Sequence, residues 1–279
     1  MKHYRGAVFF DIDGTLIAKR RGIDRIPSSA ASAIESLKKS GYFTCVATGR
    51  SDGCLPDFGD LLEGYITCNG AAAKIGKTRL YETFFSRDLI RRFMAYMNQN
   101  RLGYILENTE GGYYTPFGGA AYQSLAARLA SHYACVLPIE RMEAEKFSVS
   151  KIQIACDTAV QYEGIKAAFD GEIDIAPHRY ELAADVAPAG VSKAGGILKI
   201  LKMLDIDPKN TYAFGDDHND VTMLKTVAHG VAMTPCIPAL KQDAEYVTKM
   251  VEEDGIYLGL RHFGLVDINH AERLAQNNG

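Results

Sequence analysis

The chain has 279 residues, 47% of them apolar and 23% charged, with 31 basic against 34 acidic side chains and a net charge of −3. That length accommodates about two domains with real cores. The charge balance gives no electrostatic reason to bind DNA, RNA or an anionic membrane, and no apolar run approaches the ~18 residues of a membrane span.

Met1 to Gly6 leads straight into Ala7-Val8-Phe9-Phe10-Asp11, an apolar stretch too short for a secretion signal. Six cysteines, with no CxxC pair and no clustered histidine, read as free thiols. Both features give the expectation of a cytoplasmic location.

Val8-Phe9-Phe10 reads as a buried parallel strand that opens into the polar turn Asp11-Ile12-Asp13-Gly14-Thr15. Pro27 and Ser28 start a helix with Ala30, Ala33, Ile34 and Leu37 on one face, stopped by Gly41. A second strand, Tyr42 to Ala47, ends in Thr48-Gly49-Arg50, and a third, Leu61 to Thr67, ends in Cys68-Asn69-Gly70. Strand, helix and strand in this succession form the crossover of a doubly wound sheet, in which ligands sit at the strand ends.

The texture changes near residue 84. A helix over Arg87 to Gln99 is followed by tyrosine-rich strands (Leu102 to Glu107, Gly112 to Pro116), a helix to His132, and a strand near Lys151 to Cys156. A helix over Val160 to Phe169 and strands around Ile173 to Ile175 and Tyr180 to Val186 complete this α+β insert. The parallel pattern then resumes with a helix from Ser192 to Leu204 and a strand Thr211 to Phe214 that ends in Gly215-Asp216-Asp217-His218-Asn219-Asp220. Further alternation through Ala232 and Val247 closes the sheet, and the stretch after Phe263 reads as a terminal helix or frayed tail. The expected fold is α/β, a doubly wound, Rossmann-like parallel-sheet core (1–84 and 186–279) with an inserted α+β cap (85–185).

Taken singly, the polar clusters have ordinary readings. Asp11-x-Asp13-Gly14 fits a plain strand-to-turn junction, Thr48 a strand-end hydroxyl or helix cap, and Lys193 a solvated lysine. Gly70 to Thr78 imitates a phosphate-binding loop, but five residues separate its glycines where four belong, and it reads as a hairpin through Gly76. Lys19-Arg20-Arg21 fits a solvated loop or a phosphate contact, and His218 a solvent-facing residue.

Together the clusters say more. One sheet edge would gather Asp11, Asp13, Asp216 and Asp220, with Lys193 reaching in from a helix start. Carboxylates so close repel one another, and a divalent cation resolves the repulsion. All-oxygen ligands point to a hard ion, first of all Mg²⁺. With Lys193 and backbone amides around Gly14 and Gly49, the ion would make a pocket for a phosphate.

In order and context, Phe10 to Leu16, Ala47 to Arg50, Gly190 to Lys193 and Gly215 to Asp220 resemble the four signature motifs of the haloacid dehalogenase superfamily, in its Cof-type phosphatase branch. The resemblance implies a nucleophilic Asp11 that forms an aspartyl-phosphate, and an Asp13 that protonates the leaving alcohol and then activates water. It assigns Mg²⁺ to Asp11, the Asp13 carbonyl and Asp216, with Asp220 as a ligand or as an anchor behind them. Thr48, Gly49 and Lys193 would hold the phosphoryl group, and Asn219 would orient the carboxylates or touch phosphate. The implied partner is a small phosphorylated metabolite such as a sugar, polyol or cofactor phosphate. A phosphomutase using the same intermediate and a non-catalytic phosphometabolite-binding module are the alternatives. The insert lies where the family carries a C2 cap. Tyr104, Tyr113, Tyr114, Tyr122, His178 and Arg179 are the candidates to line that cap, with aromatic packing as the competing role for any one of them.

Overall fold

The computed structural model describes residues 3–143, 146–179 and 182–266. The first stretch carries strand β1 (Gly6–Phe10), helix α1 (Ser28–Lys39), β2 (Tyr42–Ala47), β3 (Gly64–Thr67), the hairpin of β4 (Ala72–Ile75) and β5 (Thr78–Glu82), α2 (Arg87–Gln99), β6 (Tyr104–Glu107), β7 (Gly112–Tyr114), α3 (Ala120–His132) and β8 (Val136–Pro138). Then follow β9 (Lys151–Ala155), α4 (Ala159–Ala168), β10 (Ile173–Pro177), β11 (Ala183–Pro188), α5 (Lys193–Leu204), β12 (Thr211–Gly215), α6 (Val221–Thr226), β13 (His229–Ala232), α7 (Pro238–Asp243), β14 (Tyr246–Val247) and α8 (Gly255–His262).

The strands form two sheets. One has the order β14-β13-β12-β1-β2-β3-β4-β5, parallel from β14 through β3 and closed by the antiparallel hairpin. Alternation along β1 explains its two covered faces. Val8 and Phe10 pack with Ala30, Ile34 and Leu37 of α1 and Ile256 and Leu260 of α8, whereas Ala7 and Phe9 pack with Ile197 and Ile200 of α5, Met223 of α6 and Leu240 of α7. All four β1 side chains are fully buried, and burial of each phenylalanine contributes roughly 1.5–3 kcal/mol.

The second sheet, β10-β11-β9-β6-β7-β8, is antiparallel except for β7 with β8. Tyr104, Leu106, Ile152, Ile154, Ala184 and Val186 face α2 and α4, whose Leu89, Phe93, Met97 and Ile165 complete that core. The opposite face is divided. Ile105, Ala155 and Ala183 lie under Tyr122 and Leu125 of α3, while Glu107, Lys151, Gln153 and Asp185, two or four residues along the same strands, look into the space between the sheets.

Most expected elements recur with ends shifted by a few residues, the third strand starting at Gly64 and the Gly70–Thr78 stretch forming the hairpin. Strand β8 was not foreseen, because three residues ending in Pro138 carry no alternation to read. The Thr15–Pro27 segment folds back through the Ala18↔Ile23 bridge into a small flap. The expected tail after Phe263 runs into 267–279, outside the described residues, as do residues 180 and 181 of the Tyr180–Val186 strand. All six cysteines are free thiols.

Candidate active site

The C-terminal ends of β1, β2 and β12 meet at one edge of the large sheet, because these strands lie side by side and parallel. Asp11 follows β1 with its amide donating to Phe214 O at 2.9 Å, which ties the loop after β1 to β12. The chain then turns tightly: the amides of Leu16 and Ile17 both donate to Ile12 O, and Gly14 N donates to Ile17 O at 2.7 Å. Gly14 has φ +91°, and a β-carbon there would overlap the Asp216 carboxylate, so glycine is required twice over. The turn consumes the Gly14 amide, so any donor to an anion here comes from the amides around Gly14 rather than from Gly14 itself.

Lys193 is the first residue of α5, whose N-cap Ser192 accepts a bond from Gly195 N. Its side chain is fully buried, and Nζ donates to Asp11 Oδ1 at 2.6 Å and Asp220 Oδ1 at 2.7 Å. The lysine therefore belongs to the acidic cluster, and its single-residue reading as solvated fails. The other oxygen of Asp220 accepts the amides of Asp216 (2.9 Å) and Asp217 (3.1 Å), so Asp220 also braces the loop after β12.

Asp11, Asp216 and Asp220 each place a carboxylate oxygen within 4.8 Å of the others, and no further such group occurs among the described residues. Asp216 Oδ1 is buried without any hydrogen-bond partner. Burial, reinforced by Asp220 and Asp13 and opposed by Lys193, pushes the Asp11 carboxyl up to about 7. Burial and the neighbouring carboxylates also raise Asp216 well above the ordinary range. Lys193 pairs with Asp11 and Asp220, Arg179 lies 3.8 Å from Asp216 Oδ2, and the other Asp216 oxygen is left without a hydrogen bond. Such a carboxylate set, all oxygen with no thiolate or imidazole, fits a hard divalent cation.

Asp13 stands apart from this group. Its carboxylate is half-exposed and held by Arg50, a residue whose motif was noted but which was given no role. Thr48 is buried at the end of β2, its amide bonded to Ile66 O and its hydroxyl accepting Arg50 N at 3.2 Å. Asn219 Nδ2 donates to Asn69 Oδ1, and Asn69 Nδ2 donates to Asp185 Oδ2, each at 2.9 Å. This relay joins the loops after β12 and β3 to the smaller sheet.

A cavity of about 580 Å³ lies between the two sheets. Its floor includes Asp11, Asp13, Thr48, Gly49, Asp216 and Asn219, and its roof Glu107, Lys151, Gln153, His178 and Asp185. Lys151, almost wholly buried, bonds Glu107 at 2.9 Å and Gly49 O at 3.0 Å. Gln153 Nε2 donates to Glu107 Oε2 at 2.5 Å. Burial works against the Lys151 charge, but Asp185 and Glu107 outweigh it and hold its pKa above the ordinary value. For Asp185 burial works upward, yet Lys151, His178 and Asn69 prevail and keep its carboxyl at about 2.

Of the six candidates for lining the cap, His178 and Arg179 reach the cavity. Tyr104 and Tyr122 are buried in packing, Tyr113 rests edge-on against Phe147, and Tyr114 packs beside the α3 cluster. The tyrosine that does line the cavity is Tyr133, one residue beyond α3. Lys19, Arg20 and Arg21 of the flap are exposed, yet they border the cavity as well. His218 is exposed, as expected. The roof quartet was missed in sequence. Its signal is the appearance of charged and amide residues at alternating positions of otherwise apolar strands, which becomes a cluster only once the register pairs Glu107 with Lys151 and Gln153 with Asp185.

The family model described as haloacid dehalogenase-like hydrolase matches residues 8–260. YkrA of Bacillus subtilis (strain 168) is 31% identical over 271 residues, covering 93% of this chain and 98% of YkrA. The 5-amino-6-(5-phospho-D-ribitylamino)uracil phosphatase YitU of the same organism is 24% identical over 279 residues, covering 92% and 96%. The solved structure of the subclass IIB sugar phosphatase BT4131 superposes with a TM-score of 0.81 at 27% identity, over 94% of this chain and 100% of that one. With a model match over nearly the whole described chain, on strands that bring Asp11, Lys193, Asp216 and Asp220 together, the chain belongs to the haloacid dehalogenase-like hydrolases, in their Cof-type branch.

Proposed function

We propose that this protein is a Mg²⁺-dependent phosphatase of small phosphomonoesters that works through an aspartyl-phosphate on Asp11. The observation that carries the reading is the buried group of Asp11, Asp216 and Asp220, with its unpartnered Asp216 oxygen, at the floor of the cavity. Asp11, Asp216 and the Asp13 carbonyl would hold the ion, and Asp220 acts mainly behind them because its oxygens already serve Lys193 and two amides. When bound, Mg²⁺ supplies charge neutralisation that lets an anionic carboxylate approach an anionic phosphate.

An Asp11 oxygen attacks phosphorus, the bond from phosphorus to the ester oxygen breaks, and the alcohol leaves with a proton from Asp13. Asp13, now ionised, takes a proton from a water molecule, which attacks the aspartyl-phosphate. The bond from phosphorus to Asp11 breaks, releasing phosphate and restoring both carboxyl groups. Lys193 offsets charge on Asp11 and the phosphoryl oxygens, while Thr48 and the Gly49 backbone hold the latter. Asn219, fixed by Asn69, sits where it touches phosphate or aligns its neighbours.

Residues 1–84 and 186–279 act as the catalytic core and 85–185 as the cap that closes over the substrate. The cavity has the size of a small-molecule site, which supports a small metabolite over a macromolecular phosphate. The names of BT4131, a sugar phosphatase, and of YitU, which acts on a phosphorylated ribityl compound, support a sugar, polyol or cofactor phosphate. A panel of such esters assayed with Mg²⁺ should show free phosphate release from several members. Turnover of macromolecular phosphates alone, or transfer of phosphate within one sugar without release, would overturn the reading.

A further inference from the structure

The geometry points to Arg50 as the residue that positions Asp13 for proton transfer, with Tyr133 of the smaller-sheet unit as a brace on Arg50, so that the alignment of Asp13 is firmest while that unit is seated over the site. The inference rests on the proposed phosphatase reading and adds residues to it.

Asp13 has little else to hold it. It lies on the turn after β1 with its side chain 53% exposed, and its acidic neighbours repel it. The Arg50 side chain is only 13% exposed and meets it as a fork: Nε donates to Oδ2 at 2.8 Å and Nη2 to Oδ1 at 2.6 Å. Two parallel bonds fix the plane of the carboxylate as well as its place, which a lysine ammonium cannot do.

The fork is itself held. Nη1 donates to Cys54 O at 3.0 Å and to Tyr133 Oη at 2.9 Å. Four of the five guanidinium N–H groups are thus committed within the protein, which makes Arg50 a positioning group rather than the main grip on a phosphate. Cys54 belongs to the loop after β2, but Tyr133 follows α3 of the other unit. Displacing that unit removes one of the two anchors of Nη1 and frees the fork to swing.

The test separates proton donation from everything else by the leaving group. p-Nitrophenol departs without help, whereas an aliphatic alcohol needs a proton. The ratio of kcat/KM for an aliphatic phosphomonoester from the panel to that for p-nitrophenyl phosphate, which reports steps up to departure of the alcohol, therefore reads the acid. Arg50→Met should lower kcat/KM for the aliphatic ester by about 10²-fold or more while p-nitrophenyl phosphate loses about 10-fold at most. In an Asp13→Asn background the same substitution should add little, since Arg50 acts through Asp13. Equal losses on both esters, no loss on either, or full additivity would overturn the inference. If Arg50→Met does not fold, Tyr133→Phe, which removes one hydroxyl, should lower the aliphatic ester alone by a few-fold, and an equal or absent change would overturn it. Failure of the wild type to release phosphate from either ester would instead defeat the phosphatase reading itself.

Discussion

The floor and the roof of the cavity are both buried clusters of acid around a lysine, and they are balanced differently. At the floor, Asp11 and Asp220 share the ammonium of Lys193, Asp216 has Arg179 at 3.8 Å from one oxygen and no hydrogen-bond partner at the other, and burial lifts Asp11 and Asp216 above their ordinary range. At the roof, Glu107 and Asp185 share Lys151, but Gln153, Asn69 and His178 supply further polar partners, and Asp185 is held down at about 2. A carboxylate group that is short of donors requires a cation from outside, whereas one that is supplied by its own chain is a finished wall. The first is built to do chemistry on an anion and the second to shape and bound a site.

The contrast can be broken in four ways. The largest expected effect is on the floor: Asp11→Asn should lower kcat by about 10⁴-fold or more without unfolding the chain, measured as phosphate release alongside thermal melting. Retained turnover would remove Asp11 as nucleophile. Next, Lys193→Met should reduce kcat by about 10²–10³-fold, since it deletes the one fixed positive charge beside Asp11. A near-normal rate would mean that the bound ion alone balances the floor.

On the roof the loss should appear as stability. Lys151→Met leaves Glu107 and Asp185 buried without their cation and should cost about 3–5 kcal/mol in urea unfolding. A cost below 1 kcal/mol would show that the remaining partners suffice.

The smallest effect is on pH dependence. Asp185 sits at about 2 against an ordinary 3.8, so its ionised form contributes stability that is complete above about pH 4 and lost as pH falls toward 2. The advantage of wild type over Asp185→Asn should shrink by about 2 kcal/mol across that acid interval, well below the range in which His178, whose pKa Asp185 raises, loses its charge. An advantage that does not change with pH would mean that Asp185 acts through shape alone.

The same contrast divides what could be read in the sequence. The floor was legible because parallel strands deliver their next residues to one edge, so Asp11, Thr48 and Asp216 announce themselves as polar breaks after apolar runs. Lys193 was legible only in company, since a lone lysine at a helix start says nothing of burial. Arg50 stood in plain view beside Gly49, but its partner Asp13 lies 37 residues away and its brace Tyr133 lies 83 away. The roof was not legible. Glu107, Lys151, Gln153 and Asp185 come from β6, β9 and β11, and only strand register makes them neighbours. The tyrosines misled for a related reason. Tyr104 and Tyr122 form a pair whose hydroxyl and carbonyl meet inside the smaller unit, which uses aromatic bulk for packing. The glycine-bounded stretch at Gly70 was read rightly as a hairpin because its spacing failed the phosphate-loop rule.

The central claim is that the floor is a divalent-cation site held by Asp11, Asp216 and the Asp13 carbonyl with Asp220 behind them, and it is testable without any substrate. Calorimetric titration of Mg²⁺ into the wild type and into Asp216→Asn measures it directly. The account predicts one saturable ion in the wild type and loss or severe weakening of that binding in the variant. Equal binding by both proteins, or none by the wild type, would contradict it.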